Sequence, residues 1–334
     1  MKDLELKDGR CLIMAEIASA HCGDLEILKI IFRNSVEAKA DLVKVQIFNA
    51  SELCSKYNSD FKILSQIQLN QNQWKEFFKF ASLFNVTVFA EVFDLKSAEF
   101  AADYVDGLSV HAADLSNPFL LNLVGQYGKP TILNVGGSTI DEIRNAIECL
   151  EKTGNKSLIL MYGIQNFPTS IDQVNLSRIK TLQKEFNYPV GYHDHTNSKD
   201  HMALSLNLAA YAYGAKIIEK HVTDDRSKLG FDYISSLHKD EFALLVQKIR
   251  DFERSLGHQD ISLSEADKIY RKRIKKFIVA NDDLPQGTIL GLSHLAFKRT
   301  QQEGFSPDEF AELLGRRLTN GISKDNLIRL TDLE

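Results

Sequence analysis

The chain has 334 residues, 44% of them hydrophobic and 25% charged, with a formal net charge of -5 and a sequence pI near 6.0. This is the composition of an ordinary globular protein, and its acidic balance removes the electrostatic basis for nucleic acid or an anionic membrane as partner. No segment reaches the ~20 apolar residues that span a bilayer, and Cys11, Cys22, Cys54 and Cys149 form no CxxC pair, so a cytosolic protein with reduced thiols and small-molecule partners is expected.

The first apolar run, Cys11–Ala18, is interrupted by Glu16 and reads as a strand rather than a signal sequence. Further β-branched runs follow at Leu42–Phe48, Val86–Phe93, Gly107–Ala113, Pro130–Gly136, Ser157–Gly163, Pro189–His195 and Ala215–Thr223, each trailed by an amphipathic helical stretch. The Phe-rich Phe77–Phe84 reads as a helix packing face. Eight such units in about 250 residues match a (β/α)8 TIM barrel. An open doubly wound sheet is the alternative, but the chain has neither GxGxxG after the first strand nor a P-loop. Residues 1–256 are therefore assigned to a barrel of the α/β class. The stretch 257–276, with GHQDISLSEADK and RKRIKK, reads as a charged connection. Beyond it, Phe277–Ala280, the turn Leu284-Pro285-Gln286-Gly287 and short segments to Glu334 predict a compact domain over 277–334. A core in a domain of about 60 residues is marginal alone.

Barrel enzymes do their chemistry at the C-terminal ends of their strands. The polar residues falling there are Glu16 and His21, Lys44 and Gln46, Glu91, His111 and Asp114, Asn134, Gln165, then His193, Asp194 and His195, and finally Glu219, Lys220 and His221. Alternation puts His193 with His195, and Glu219 with His221, on shared strand faces. Any one of these histidines alone is explained by a buried hydrogen bond, but His195 and His221 at equivalent depth on adjacent strands suit a divalent transition metal. Lys44 lies in the apolar VKVQIF, where burial of an ammonium demands an anion. That anion is either Glu16 or Glu91 in a structural ion pair, or a ligand.

These residues sit in motifs that resemble the sialic acid synthases and the related legionaminic and pseudaminic acid synthases. MAEIASAHCGD is similar to the family's AEIGxNHNGD, DLVKVQIF to ADAVKFQTF, EVFDLKS to TPFDLES, PVGYHDHT to VGYSDHT and GAKIIEKHVTDDR to GAxVIEKHFTLDR. NFPTSIDQVNL also falls in register, and AFKR, LLGRRL and SKDNLI resemble the antifreeze-like SAF domain that closes these synthases. The resemblance implies metal-dependent condensation of phosphoenolpyruvate with an N-acylated amino sugar. It implies Mn or a similar ion on His195 and His221, and catalytic roles for Glu16, Lys44 and Asp114. It also implies substrate contacts from Gln46 and Asp232, and from Arg299, which the SAF domain of one subunit offers to its partner in a domain-exchanged homodimer; Gln165 is a substrate-contact candidate from its place at the strand ends.

The departures fall in one place. The family's phosphate pocket uses a second lysine and hydroxyls in STPF, FKIxSGE, LSTGM and YSDH, and here these read AEVF, LSVHAAD, LNVGG and YHDH. Ser109 stands for the lysine. Glu91, Ala112, Asn134 and His193 stand at hydroxyl positions, and Phe167 replaces the tyrosine of YPT. A carboxylate beside a dianion is repulsive, so Glu91 and His193 are expected to alter what binds. Three functions follow as expectations: a divergent nonulosonic acid synthase, a metal-dependent barrel acting on an unphosphorylated keto acid or sugar, and a catalytically silent sugar-binding protein.

Overall fold

The computed structural model describes residues 10–257 and 260–334. The alternating apolar runs form β1 (Leu12–Glu16), β2 (Leu42–Ile47), β3 (Thr87–Val92), β4 (Gly107–Val110), β5 (Thr131–Asn134), β6 (Leu158–Tyr162), β7 (Val190–Asp194) and β8 (Ile217–His221). They pair in sequence order, all parallel, and β8 closes on β1. Each strand lies within the run predicted for it and is shorter, because the run ends leave the ladder to enter loops. The helical segment after β2 is broken into Ala50–Leu53, Phe61–Ile67 and Gln71–Ala81.

Period-two alternation splits every strand between two cores. The outward residues, such as Ile13, Val43, Val45, Ala90 and Val190, pack under the helices. Phe77 and Phe78 belong to this layer, with Phe77 edge-on to Phe32 at 5.3 Å. The inward residues form two levels. Met14, Leu42, Phe89, Ile132, Ile159, Met161 and Ile217 fill the lower barrel, and Gly107 is required there, since a Cβ on it would lie 2.2 Å from the Phe89 ring. The next inward positions toward the C-terminal mouth are almost all polar. Apolar filling below and ionisable groups above explain why charged residues survive in such hydrophobic strands.

The chain divides into two compact units after Gly257. The second contains β9 (Lys276–Ala280) antiparallel to β10 (Leu295–Arg299) and a core including Ile278, Leu284, Leu313, Leu318 and Ile328. The stretch predicted as a charged connection holds a helix, Glu265–Ile274, whose N-cap Ser264 exchanges hydrogen bonds with Asp267. No helix among the described residues is long and apolar enough to cross a membrane.

Candidate active site

Register builds the site. Glu16 is paired with Lys44 on one side and His221 on the other, Gln46 with Glu91, Glu91 with Ser109, and His193 with Glu219. Residues in register on parallel strands point the same way, so these rows converge on the barrel mouth. All of these except Ser109, together with Asn134, Gln165, His195 and Asp232, line a cavity of about 220 Å3.

Lys44 is buried at its centre, with Nζ 2.8 Å from Glu219 Oε2, 2.9 Å from Glu16 Oε2 and 3.7 Å from Glu91 Oε1. Burial alone would push the ammonium down, but the Glu219 and Glu91 carboxylates reverse that and hold it above its usual value. The anion demanded by the buried lysine is thus met from three strands, and its shortest contact, Glu219, was not among the partners expected. The usable signal was its position two residues before His221, on the same face.

Glu91 accepts hydrogen bonds from Asn134 Nδ2 (2.6 Å), Gln46 Nε2 (2.9 Å) and Ser109 Oγ (3.2 Å). Burial would raise its pKa, yet Lys44, His111 and these donors bring it below the usual carboxylate range, so it is an anion at neutral pH. Ser109 had been noted only as a departure from a motif, and Asn134 also as a residue at the barrel mouth. Their role as Glu91 donors follows from the neighbouring strands β4 and β5.

Three imidazoles form a row on the opposite wall, with ring centroids 4.9 Å apart for His193 and His195 and 5.1 Å for His195 and His221. Burial first, then neighbouring positive or imidazole groups, lowers His193 and His195 to about 3 and His221 well below its ordinary value, so all three are neutral. His195 Nδ1 lies 2.8 Å from the Ile164 carbonyl oxygen. In the neutral ring that nitrogen carries the proton and Nε2 keeps its lone pair, the arrangement of a metal-ligating histidine. His221 Nδ1 is 3.7 Å from Asp232 Oδ2, and burial raises the Asp232 carboxyl to about 6. Phe167 covers the pair, 4.4 Å from His195 and 5.7 Å from His221 between centroids. Gln165 Nε2 reaches His193 Nε2 at 3.3 Å.

Among the described residues no three His, Cys, Asp or Glu side chains converge as a metal-binding group. Two imidazoles are what the chain presents, which fits an ion that keeps positions open to water and substrate. The formal charges of Glu16, Glu91, Glu219 and Lys44 leave an excess of negative charge beside them, which suits a cation.

Other candidates lie elsewhere. Asp114 is outside the cavity lining, in a short 3-10 turn after β4, where its Oδ1 accepts from Asn117 Nδ2 at 3.0 Å. Asp194 and Lys220 alternate with the inward residues and form a fully buried pair at 3.0 Å, with Thr196 and Asn207 completing the carboxylate's bonds. His21 packs edge-on to Trp74 at 6.3 Å. Arg299 ends β10 in the second unit and is exposed.

Comparison with known proteins agrees with this geometry. The NeuB family model matches residues 31–261 and the SAF domain model residues 275–334. The chain belongs to the NeuB family. An uncharacterised Methanocaldococcus jannaschii protein is 32% identical over 96% of this chain and 94% of its own length. The N,N'-diacetyllegionaminic acid synthase of Campylobacter jejuni is 28% identical over 96% of this chain and 99% of its own. Among solved structures, the N-acetylneuraminic acid synthetase of Leptospira borgpetersenii, in complex with citrate, superposes with a TM-score of 0.72 at 26% identity, covering 80% of this chain and 93% of that one. The TIM-type barrel and C-terminal SAF domain are therefore the architecture of this NeuB-family member.

Proposed function

We propose that this NeuB-family chain is a metal-dependent enzyme that joins a three-carbon 2-oxo acid unit to the aldehyde carbon of an N-acyl amino sugar or related aldose, in the manner of a nonulosonic acid synthase. The observation that carries this reading is Lys44 held between Glu16 and Glu219 in one cavity with the neutral pair His195 and His221. His195 and His221 would hold Mn or a similar ion, which supplies Lewis-acid polarisation of a carbonyl oxygen. Lys44 places a fixed positive charge where a substrate oxygen gains negative charge. Asp232, titrating near 6, is suited to meet sugar hydroxyls and exchange a proton with them. The four cysteines are free thiols, which suits the cytosolic setting assumed here. As in the family resemblance, the active form is a homodimer in which Arg299 of each chain serves its partner's sugar site.

With phosphoenolpyruvate as donor, its C3 bonds to the aldehyde carbon, water adds at C2 and phosphate leaves. The ionised Glu91 favours a second reading, in which an unphosphorylated 2-oxo acid is the donor. It loses a C3 proton and bonds to the aldehyde carbon, whose oxygen takes up a proton, with nothing released. Incubation with Mn, a panel of N-acyl amino sugars and either phosphoenolpyruvate or pyruvate, followed by product mass and phosphate assay, tests both. A product three carbons longer than the sugar supports the reading, and phosphate release selects the donor. No product from any pair, together with unchanged Mn affinity in His195→Gln and His221→Gln by calorimetry, refutes it.

A further inference from the structure

The cavity wall at the ends of β3, β4 and β5 has an unusual polarity. The donors in and beside it, Asn134 Nδ2, Ser109 Oγ and Gln46 Nε2, are turned onto Glu91, an anion the chain itself supplies. What remains toward a ligand is acceptor. Asn134 is 1% exposed and its Nδ2 is shared among Glu91, Ser109 and the Val110 carbonyl, while its Oδ1 has no hydrogen-bond partner. Glu16 Oε2, on the same cavity, faces the Lys44 ammonium at 2.9 Å. The lining carries the carboxylates of Glu16, Glu91, Glu219 and Asp232 against the ammonium of Lys44 alone.

We infer that Glu91 is a specificity-determining residue, by which this cavity selects unphosphorylated substrates and rejects phosphate monoesters. A phosphate dianion offers acceptors only and needs several N–H or O–H donors around it, but here the donors are already engaged, and they are engaged by a carboxylate of the phosphate's own sign. A phosphate would also set its oxygens against Asn134 Oδ1, a buried acceptor that it cannot satisfy. Glu91 touches no departing group in this account. It acts by taking up Asn134, Ser109 and Gln46 before an anion can. The inference rests on the proposed reading in one respect, that this cavity receives the substrate.

Calorimetric titration of the full chain with Mn present uses phosphoenolpyruvate and pyruvate as probes, the phosphorylated enol and the unphosphorylated keto form of one three-carbon acid. The unaltered protein should bind pyruvate more tightly than phosphoenolpyruvate. Glu91→Gln, which keeps the side-chain shape and removes the charge, should shift the ratio toward phosphoenolpyruvate by at least about tenfold. If Glu91→Gln does not fold, the double change Glu91→Thr with Ser109→Lys is measured instead and should shift the ratio the same way. Preference for phosphoenolpyruvate in the unaltered protein, an unchanged ratio in the variant, or no binding of either probe by any of the proteins overturns the inference. A shifted ratio without product formation leaves it standing and removes the proposed reaction instead.

Discussion

Replacing Lys44 by Met removes the only ammonium among three buried carboxylates and leaves a side chain of similar length. At 2.8 and 2.9 Å from Glu219 and Glu16, each contact has a gross attraction of about 6 kcal/mol at an effective dielectric near 20. Much of that is offset by the cost of taking the charges out of water, and removing one partner of a buried pair typically costs ~3–5 kcal/mol. Lys44→Met should therefore lose about 3–5 kcal/mol, a large part of an ordinary domain's stability. The single tryptophan, Trp74, is buried in the barrel unit, so urea unfolding followed by its fluorescence reports on that unit alone. Adding Glu219→Gln should recover part of the loss, because one of the stranded charges goes with it. A Lys44→Met protein within about 1 kcal/mol of the parent, or a double variant no more stable than the single one, would refute the view that the lysine neutralises this cluster.

Three further outcomes are expected. Glu91 is held below the usual carboxylate range, so its stabilising contribution is present above the unfolded pKa of about 4.3 and lost as pH falls through the folded value. The stability gap between the parent and Glu91→Gln should accordingly narrow on acidification in urea titrations, and a gap that widens contradicts the assignment. In Gly163→Ala the new Cβ would lie 1.8 Å from His193 Cδ2 and 2.2 Å from its carbonyl oxygen. Because backbone cannot yield as a flexible side-chain end does, a loss of about 3 kcal/mol is expected in thermal unfolding, and an unchanged midpoint would show the contact to be relieved. Arg299→Ala should leave a dimeric sedimentation mass unchanged while weakening N-acyl amino sugar binding about tenfold, whereas a monomeric parent at micromolar concentration would contradict the shared site.

The alternation of VKVQIF, YHDH and IIEKH by itself determined which residues turn inward, and hence that Lys44, Gln46, His193, Glu219 and His221 share the barrel interior. The same alternation turns Asp194 and Lys220 outward, although both had been counted with the mouth residues. Loop residues carry no such period, so Asp114 had a motif but no direction, and only the turn after β4 decided that it meets Asn117. Nor does alternation say which inward residues meet. Lys44 reaches Glu219, 175 positions away, because the barrel closes β8 onto β1, and Glu91 finds Gln46, Ser109 and Asn134 because β2, β4 and β5 stand beside or near β3. Local sequence sets the face of each strand through a two-residue period, whereas charge neutralisation and donor pairing depend on closure and register, which bring together side chains that share no local pattern.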